Sequence, residues 1–119
     1  MKRLIAALVI LAVTVLVATL PSLYTNMACD RMTKQTEQIL SRPDTESAEE
    51  IAALWDGYER KMRFYVSHND LEQVTELIGL LPAVVTSGSE TLMEALCASI
   101  DGQLEHIRES ERAELGNIF

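Results

Sequence analysis

Residues 4–20, LIAALVILAVTVLVATL, form an unbroken run of 17 residues whose only polar side chains are Thr14 and Thr19. A helix of that length rises about 26 Å at ~1.5 Å per residue, close to a bilayer hydrocarbon core of about 30 Å. The run is apolar on every face, so it cannot turn one stripe to a protein core and the other to water. It reads as an uncleaved membrane anchor preceded by Lys2 and Arg3. A cleaved signal peptide is the alternative, but such a segment is typically about 7–15 apolar residues closed by a small-x-small site. Here Pro21-Ser22-Leu23-Tyr24 follow instead. Asn26-Met27-Ala28-Cys29 bears only a vague likeness to a lipoprotein cleavage box, because Asn26 stands where an aliphatic residue is needed.

The remaining chain has a different character. All 18 acidic residues lie at or beyond Asp30, where eight Lys and Arg leave a balance of −10 against −8 for the whole chain. An acidic body excludes nucleic acid as a partner, since neutralising phosphates takes clustered Lys and Arg. With 119 residues there is room for one small domain. The expected division is an anchor over residues 1–21 and an acidic helical body over 22–119. Lys2, Arg3 and the α-amine sit closest to the membrane and are undiluted by acids, so the basic tail is expected in the cytoplasm and the body outside the cytoplasmic membrane.

Hydrophobic spacing in the body is helical throughout, with no strand alternation. Ser22–Leu40 reads as a polar extension of the first helix, with Pro21 able to kink it or start a new one. Ser41-Arg42-Pro43-Asp44 is a break. Ser47 with Glu50 matches a capping box opening a second helix. That helix presents Ile51, Leu54, Trp55, Tyr58, Met62 and Tyr65 on one stripe. His68-Asn69-Asp70 reads as the next corner, with Asn69 or Asp70 as cap and His68 closing the helix before it. Leu71, Val74, Ile78, Leu81 and Val85 follow as a third stripe, which Pro82 is expected to bend or end near Leu81. Ser87-Gly88-Ser89 makes a third corner, with Ser87 and Glu90 as another capping box. Leu92 or Met93, Leu96, Ile100, Leu104 and Ile107 give the last stripe, ending near Gly116. The short connections imply antiparallel neighbours. The expected fold is all-α, a transmembrane helix continuing into an antiparallel three- to four-helix bundle.

Counting residues from the corners puts His68 and His106 at one level near the membrane. Neutral imidazoles with Asp70, Glu72, Glu105 or Glu109 nearby are a metal-ligand set by chemistry, although the spacing matches no metal motif and hydrogen-bonding roles are the simpler reading. The same counting puts Cys29 and Cys97 both near mid-height, where a bridge is conceivable and two buried free thiols are the plainer expectation. Six acids and no base occupy residues 44–59, then Arg60, Lys61 and Arg63 reverse the sign as that helix nears the membrane. These three either meet anionic headgroups or pair with Asp56 and Glu59 along a solvated face. The terminal Asn117-Ile118-Phe119 is placed at the interface or as a cap on the bundle.

Two patches carry a resemblance. Trp55 with Lys61 leads into Val66-Ser67-His68-Asn69-Asp70-Leu71-Glu72. Leu104-Glu105-His106-Ile107-Arg108-Glu109-Ser110-Glu111 leads into Asn117-Ile118-Phe119. With the basic start and the anchor, this order is similar to the small single-pass membrane proteins of clostridia and relatives grouped as domain of unknown function 4363. The resemblance implies a bacterial membrane protein with a helical body, in which His68, His106 and the terminal Asn117 to Phe119 belong to the shared pattern. It brings no activity with it.

No nucleophile–base set stands out among the scattered Ser, Thr, His and carboxylates, so no catalysis and no cofactor are expected, with a small hydrolase the remotest reading. The leading expectation is an accessory or scaffold protein that binds another membrane protein through its membrane-proximal end. His68, Asn69, Asp70, His106, Asn117 and Phe119 are the candidate contacts there, and Arg60, Lys61 and Arg63 the headgroup contacts. The alternative is an extracytoplasmic ligand- or metal-sensing module built on His68 and His106.

Overall fold

A computed structural model describes residues 1–118, and the described residues fold into five helices. They are α1 (Lys2–Ser41), α2 (Thr45–Met62), α3 (His68–Gly79), α4 (Leu81–Ser87) and α5 (Glu90–Ile118). The molecule is a rod of 68 × 23 × 21 Å, and α1, 40 residues long, supplies about 60 Å of that length at ~1.5 Å per residue. Pro21 lies inside α1 without dividing it.

The lower half of α1 has no protein around it. From Ser22 onward the same helix buries Thr25, Ala28, Cys29, Met32, Thr36 and Ile39, at offsets 0, 3, 4, 7, 11 and 14. This is the spacing of a helix with one buried stripe. The stripe meets α5 along most of its length and α2 beside it, and α5 also receives α3 and α4. Ile51, Trp55, Met62, Leu71, Val74, Leu81, Ile100, Leu104 and Ile107 complete a single continuous core. Trp55 is 2% exposed, and its indole N–H donates to Thr75 Oγ1 at 2.9 Å, which satisfies the ring's one donor inside that core. Met93, rather than Leu92, takes the inward place on α5.

The corners depart from the sequence reading in instructive ways. Pro43 forces the break, and Asp44 after it is extended (φ −124°, ψ 167°), so Asp44 caps α2 in place of Ser47 by accepting the Ser47 N–H at 2.7 Å. That backbone bond, the strongest influence on the carboxyl, holds the Asp44 pKa below its ordinary value. At the next corner α2 stops at Met62, because Met62 O takes both the Tyr65 and Val66 amides in a turn. His68 therefore opens α3 instead of closing α2, with Ser67, not Asn69 or Asp70, at the N-cap. The stripe through Pro82 is interrupted near Leu81, as expected, with α3 ending at Gly79. The chain breaks at Leu80, and Pro82 occupies the first turn of α4, where its missing N–H costs nothing. Gly88 (φ 69°) closes α4 in the left-handed conformation. Ser89 then caps α5 by accepting the Leu92 N–H at 3.2 Å, so the Ser87–Glu90 box is displaced by two residues. The last helix continues past Gly116 to Ile118.

Candidate functional site: the end of the bundle beside the apolar segment

The register of the bundle fixes what stands near the apolar segment. Tyr65 and Thr25 hydroxyls meet at 3.1 Å, with Thr25 as donor. The Tyr24 and Tyr58 rings pack edge to face with centroids 6.0 Å apart, and Lys61 Nζ lies 5.5 Å from the Tyr24 centroid. The α2–α3 corner is thereby held at the level of residues 22–25, about one helical turn beyond the apolar run.

Around that end the charged residues are mostly taken up locally. Arg63 gives its Nε to Glu59 Oε1 at 2.9 Å and holds the buried carboxylate with Nη2 at 2.8 Å. Arg60 pairs with Asp56 at 3.0 Å. Two of the three basic residues thus follow the solvated-face reading in their pairing, while all three remain exposed. Phe64, next after Arg63, is 90% exposed, a feature that the periodicity of α2 does not reveal because it falls where the helix has already turned.

His106 Nε2 lies 3.4 Å from Asp70 Oδ1, and Gln103 Nε2 donates to the Asp70 carbonyl at 3.4 Å. These contacts tie the first turn of α3 to α5, at the common level expected for the two histidines. The imidazoles nevertheless serve different partners. His68 turns out to solvent, with Nε2 3.8 Å from Glu72 on its own helix. Among the described residues no group of three His, Cys, Asp or Glu side chains is placed to hold a metal ion. Asn69 and Asn117 are exposed; Phe119 lies outside the described residues.

The α1–α5 seam holds the two cysteines, free and buried as expected, together with polar residues that the sequence reading passed over. Cys29 Sγ lies 3.6 Å from Leu104 O and Cys97 Sγ 3.8 Å from Thr36 O. Both thiols are free and buried. Cys97 thus stands opposite Thr36, seven residues along α1 from Cys29, and that separation of about 10 Å exceeds the ~7 Å limit on Cα spacing for a bridge. The equal heights inferred from corner counting do not hold: Cys97, eight residues below Ser89, meets the level of Thr36, and Cys29 meets that of Leu104. Burial pushes both thiols up, Cys97 to about 11, so neither is a ready nucleophile. Beside them Thr36 donates to Asp101 Oδ1 at 2.8 Å, and burial raises the Asp101 pKa despite that bond. Arg108 reaches across the seam from α5 to Asp30. These polar contacts replace the apolar signal that would have exposed the stripe in the sequence.

Two further hollows lie away from the apolar segment. One, of about 320 Å³, is lined by Leu40, Pro43, Val85, Gly88 and Met93 at the far end. The other, of about 290 Å³, runs between Ala48, Ala52 and Trp55 of α2 and Ile78 and Pro82 across from them. Neither gathers a reactive set.

Residues 21–118 match the family described as Domain of unknown function (DUF4363). No curated protein and no solved structure matches the chain. The matched region takes in every residue of the bundle's core and begins where the bare apolar segment ends, and on that match the chain belongs to the DUF4363 family.

Proposed function

We propose that the protein is a membrane-anchored accessory or scaffold that binds another membrane protein beside its anchor, with the acidic body outside the cytoplasmic membrane. The observation that carries this reading is the bareness of the lower half of α1. None of its most apolar 18-residue window is buried within the chain. In water such a surface would be costly, at about 25 cal/mol per Å² of apolar area; in a bilayer it is at home. The unbroken passage of α1 into the core supports the scaffold part. A helix that continues through Pro21 into the bundle holds His68, Asn69, Asp70 and His106 just beyond the apolar run, where the rim of a neighbouring membrane protein would stand. Lys2 and Arg3 support the orientation. Arg60, Lys61 and Arg63 then face the headgroup layer.

A photo-crosslinker placed at Asn69, exposed and outside the core, tests the working face in native membranes. A discrete adduct from position 69, absent from position 94 at the far end and weakened by His68→Ala, is the expected result. Equal yields at both positions, or full retention in His68→Ala together with His106→Ala with unchanged thermal midpoints, would remove this face as the binding surface. An impermeant amine reagent on intact cells tests orientation, with Lys34 and Lys61 labelled and Lys2 spared.

A further inference from the structure

We propose that the α2–α3 corner is a second membrane contact, in which the Phe64 ring enters the interfacial layer of the same bilayer that holds the anchor. Three observations converge on it. Phe64 is 90% exposed, whereas the large apolar side chains left bare elsewhere on the body, Leu40, Leu80 and Leu92, are 43%, 53% and 52% exposed. The Tyr65–Thr25 and Lys61–Tyr24 contacts fix its corner within about one helical turn of Leu20 and Leu23, themselves 52% and 61% exposed on the anchor helix. Tyr24 and Tyr65 stand at the same level, so the aromatic residues gather where a membrane-spanning helix meets the headgroups.

The charges around Phe64 suit a lipid surface. Arg60, Lys61 and Arg63 precede Phe64 by one to four residues and are all exposed, and with Asp56 and Glu59 paired to two of them the corner keeps a small positive balance in an otherwise acidic body. Weak attraction of this kind holds a side chain at the phosphates without pulling the bundle over. A single helix leaves a body free to rotate about its axis; a ring inserted to one side of that axis fixes which face of the bundle turns along the membrane. The corner therefore sets the azimuth at which His68, Asn69 and Asp70 are offered.

This inference depends on the anchored reading, and one preparation separates the two. The full chain is reconstituted into vesicles of phosphatidylcholine with phosphatidylglycerol, washed at alkaline pH and pelleted. Tryptophan is introduced as Phe64→Trp or, for comparison, Leu92→Trp, each with Trp55→Phe so that one indole reports. Brominated phosphatidylcholine is expected to quench position 64 severalfold more than position 92, and more strongly with bromines near the carbonyls than with bromines near the chain ends. Equal quenching at 64 and 92 in protein that stays with the pellet overturns the corner contact and leaves the anchor standing. Protein released by the wash overturns both. Phe64→Ser, which removes no internal contact, is expected to keep the thermal midpoint while lowering binding at the crosslinking position 69.

Discussion

The two halves of α1 are one helix with two kinds of surface. Below Pro21 the side chains of Leu4, Ile5, Leu8, Leu11 and Leu16 are more than half exposed, and every face is alike. Above it, Ala28, Cys29, Met32 and Ile39 are fully buried on one stripe while Asp30, Lys34 and Glu37 face out. Backbone hydrogen bonding is the same in both, so the difference lies in what the side chains can leave water for. The upper half finds α2 and α5. The lower half finds nothing in its own chain, and hydrocarbon is the surrounding that matches its composition.

That contrast is most sharply broken by removing one leucine from the core that packs on the upper half and one from the lower half itself. Leu104→Ala, opposite Cys29 in the bundle core, is expected to cost about 2–5 kcal/mol, as large-to-small changes at buried sites do, and to lower the thermal midpoint of the body accordingly. Leu8→Ala takes the same atoms from a residue with no packed neighbours and should leave that midpoint unchanged. A comparable loss from both would mean that the lower half is packed against protein. Next in size is Leu11→Arg, near the centre of the apolar run, where a charge costs about 2.5–3.5 kcal/mol on insertion scales. It should reduce the membrane-bound fraction, read by sedimentation, with the helical circular dichroism of the body preserved.

The smallest expected effect concerns two carboxylates of the bundle whose pKa values move in opposite directions. Asp44 is lowered, chiefly by the Ser47 amide. Its contribution is present above the unfolded-state value and fades as pH falls through the folded one. Asp101 is raised, chiefly by burial. The folded state then holds its proton more tightly than the unfolded state, so folding loses stability as pH rises from the ordinary carboxyl range through the raised value. Asp101→Asn keeps an acceptor for Thr36 and removes the buried charge. It should raise the midpoint slightly at neutral pH, with the gain disappearing below the unfolded carboxyl pKa. A gain that persists in acid would assign the effect to packing rather than charge.

How far the sequence was legible follows from the same contrast. The apolar run, the Trp55 stripe and the α5 stripe through Ile100 and Leu104 are written in large apolar residues, and the helices stand where those residues put them. The upper half of α1 reads as polar because its buried stripe uses Thr25, Ala28, Cys29 and Thr36, whose hydroxyls and thiols are satisfied only once Tyr65, Asp101 and the α5 carbonyls are in place. Cap positions moved by two or three residues wherever a Pro or Gly set the backbone first, as at Pro43 with Asp44 and Gly88 with Ser89. The level shared by His106 and the start of α3 could be counted from the corners. Side-chain direction could not, which is why His68 faces Glu72 and solvent while His106 meets Asp70. Phe64 escaped for a related reason: its exposure depends on the turn after Met62, and the spacing of the preceding stripe gives no warning of it.

The most direct measurement is a nitroxide scan along α1 from residue 4 to residue 40 in reconstituted vesicles, comparing collision rates with oxygen and with a water-soluble nickel chelate. Residues 4–20 should favour oxygen at every position with no helical periodicity, and from Ser22 onward accessibility should oscillate with a period of about 3.6 residues, with minima at Thr25, Ala28, Cys29, Met32, Thr36 and Ile39. A 3.6-residue oscillation already present below Pro21, or nickel access throughout residues 4–20, would contradict a helix that passes without a break from lipid into its own bundle.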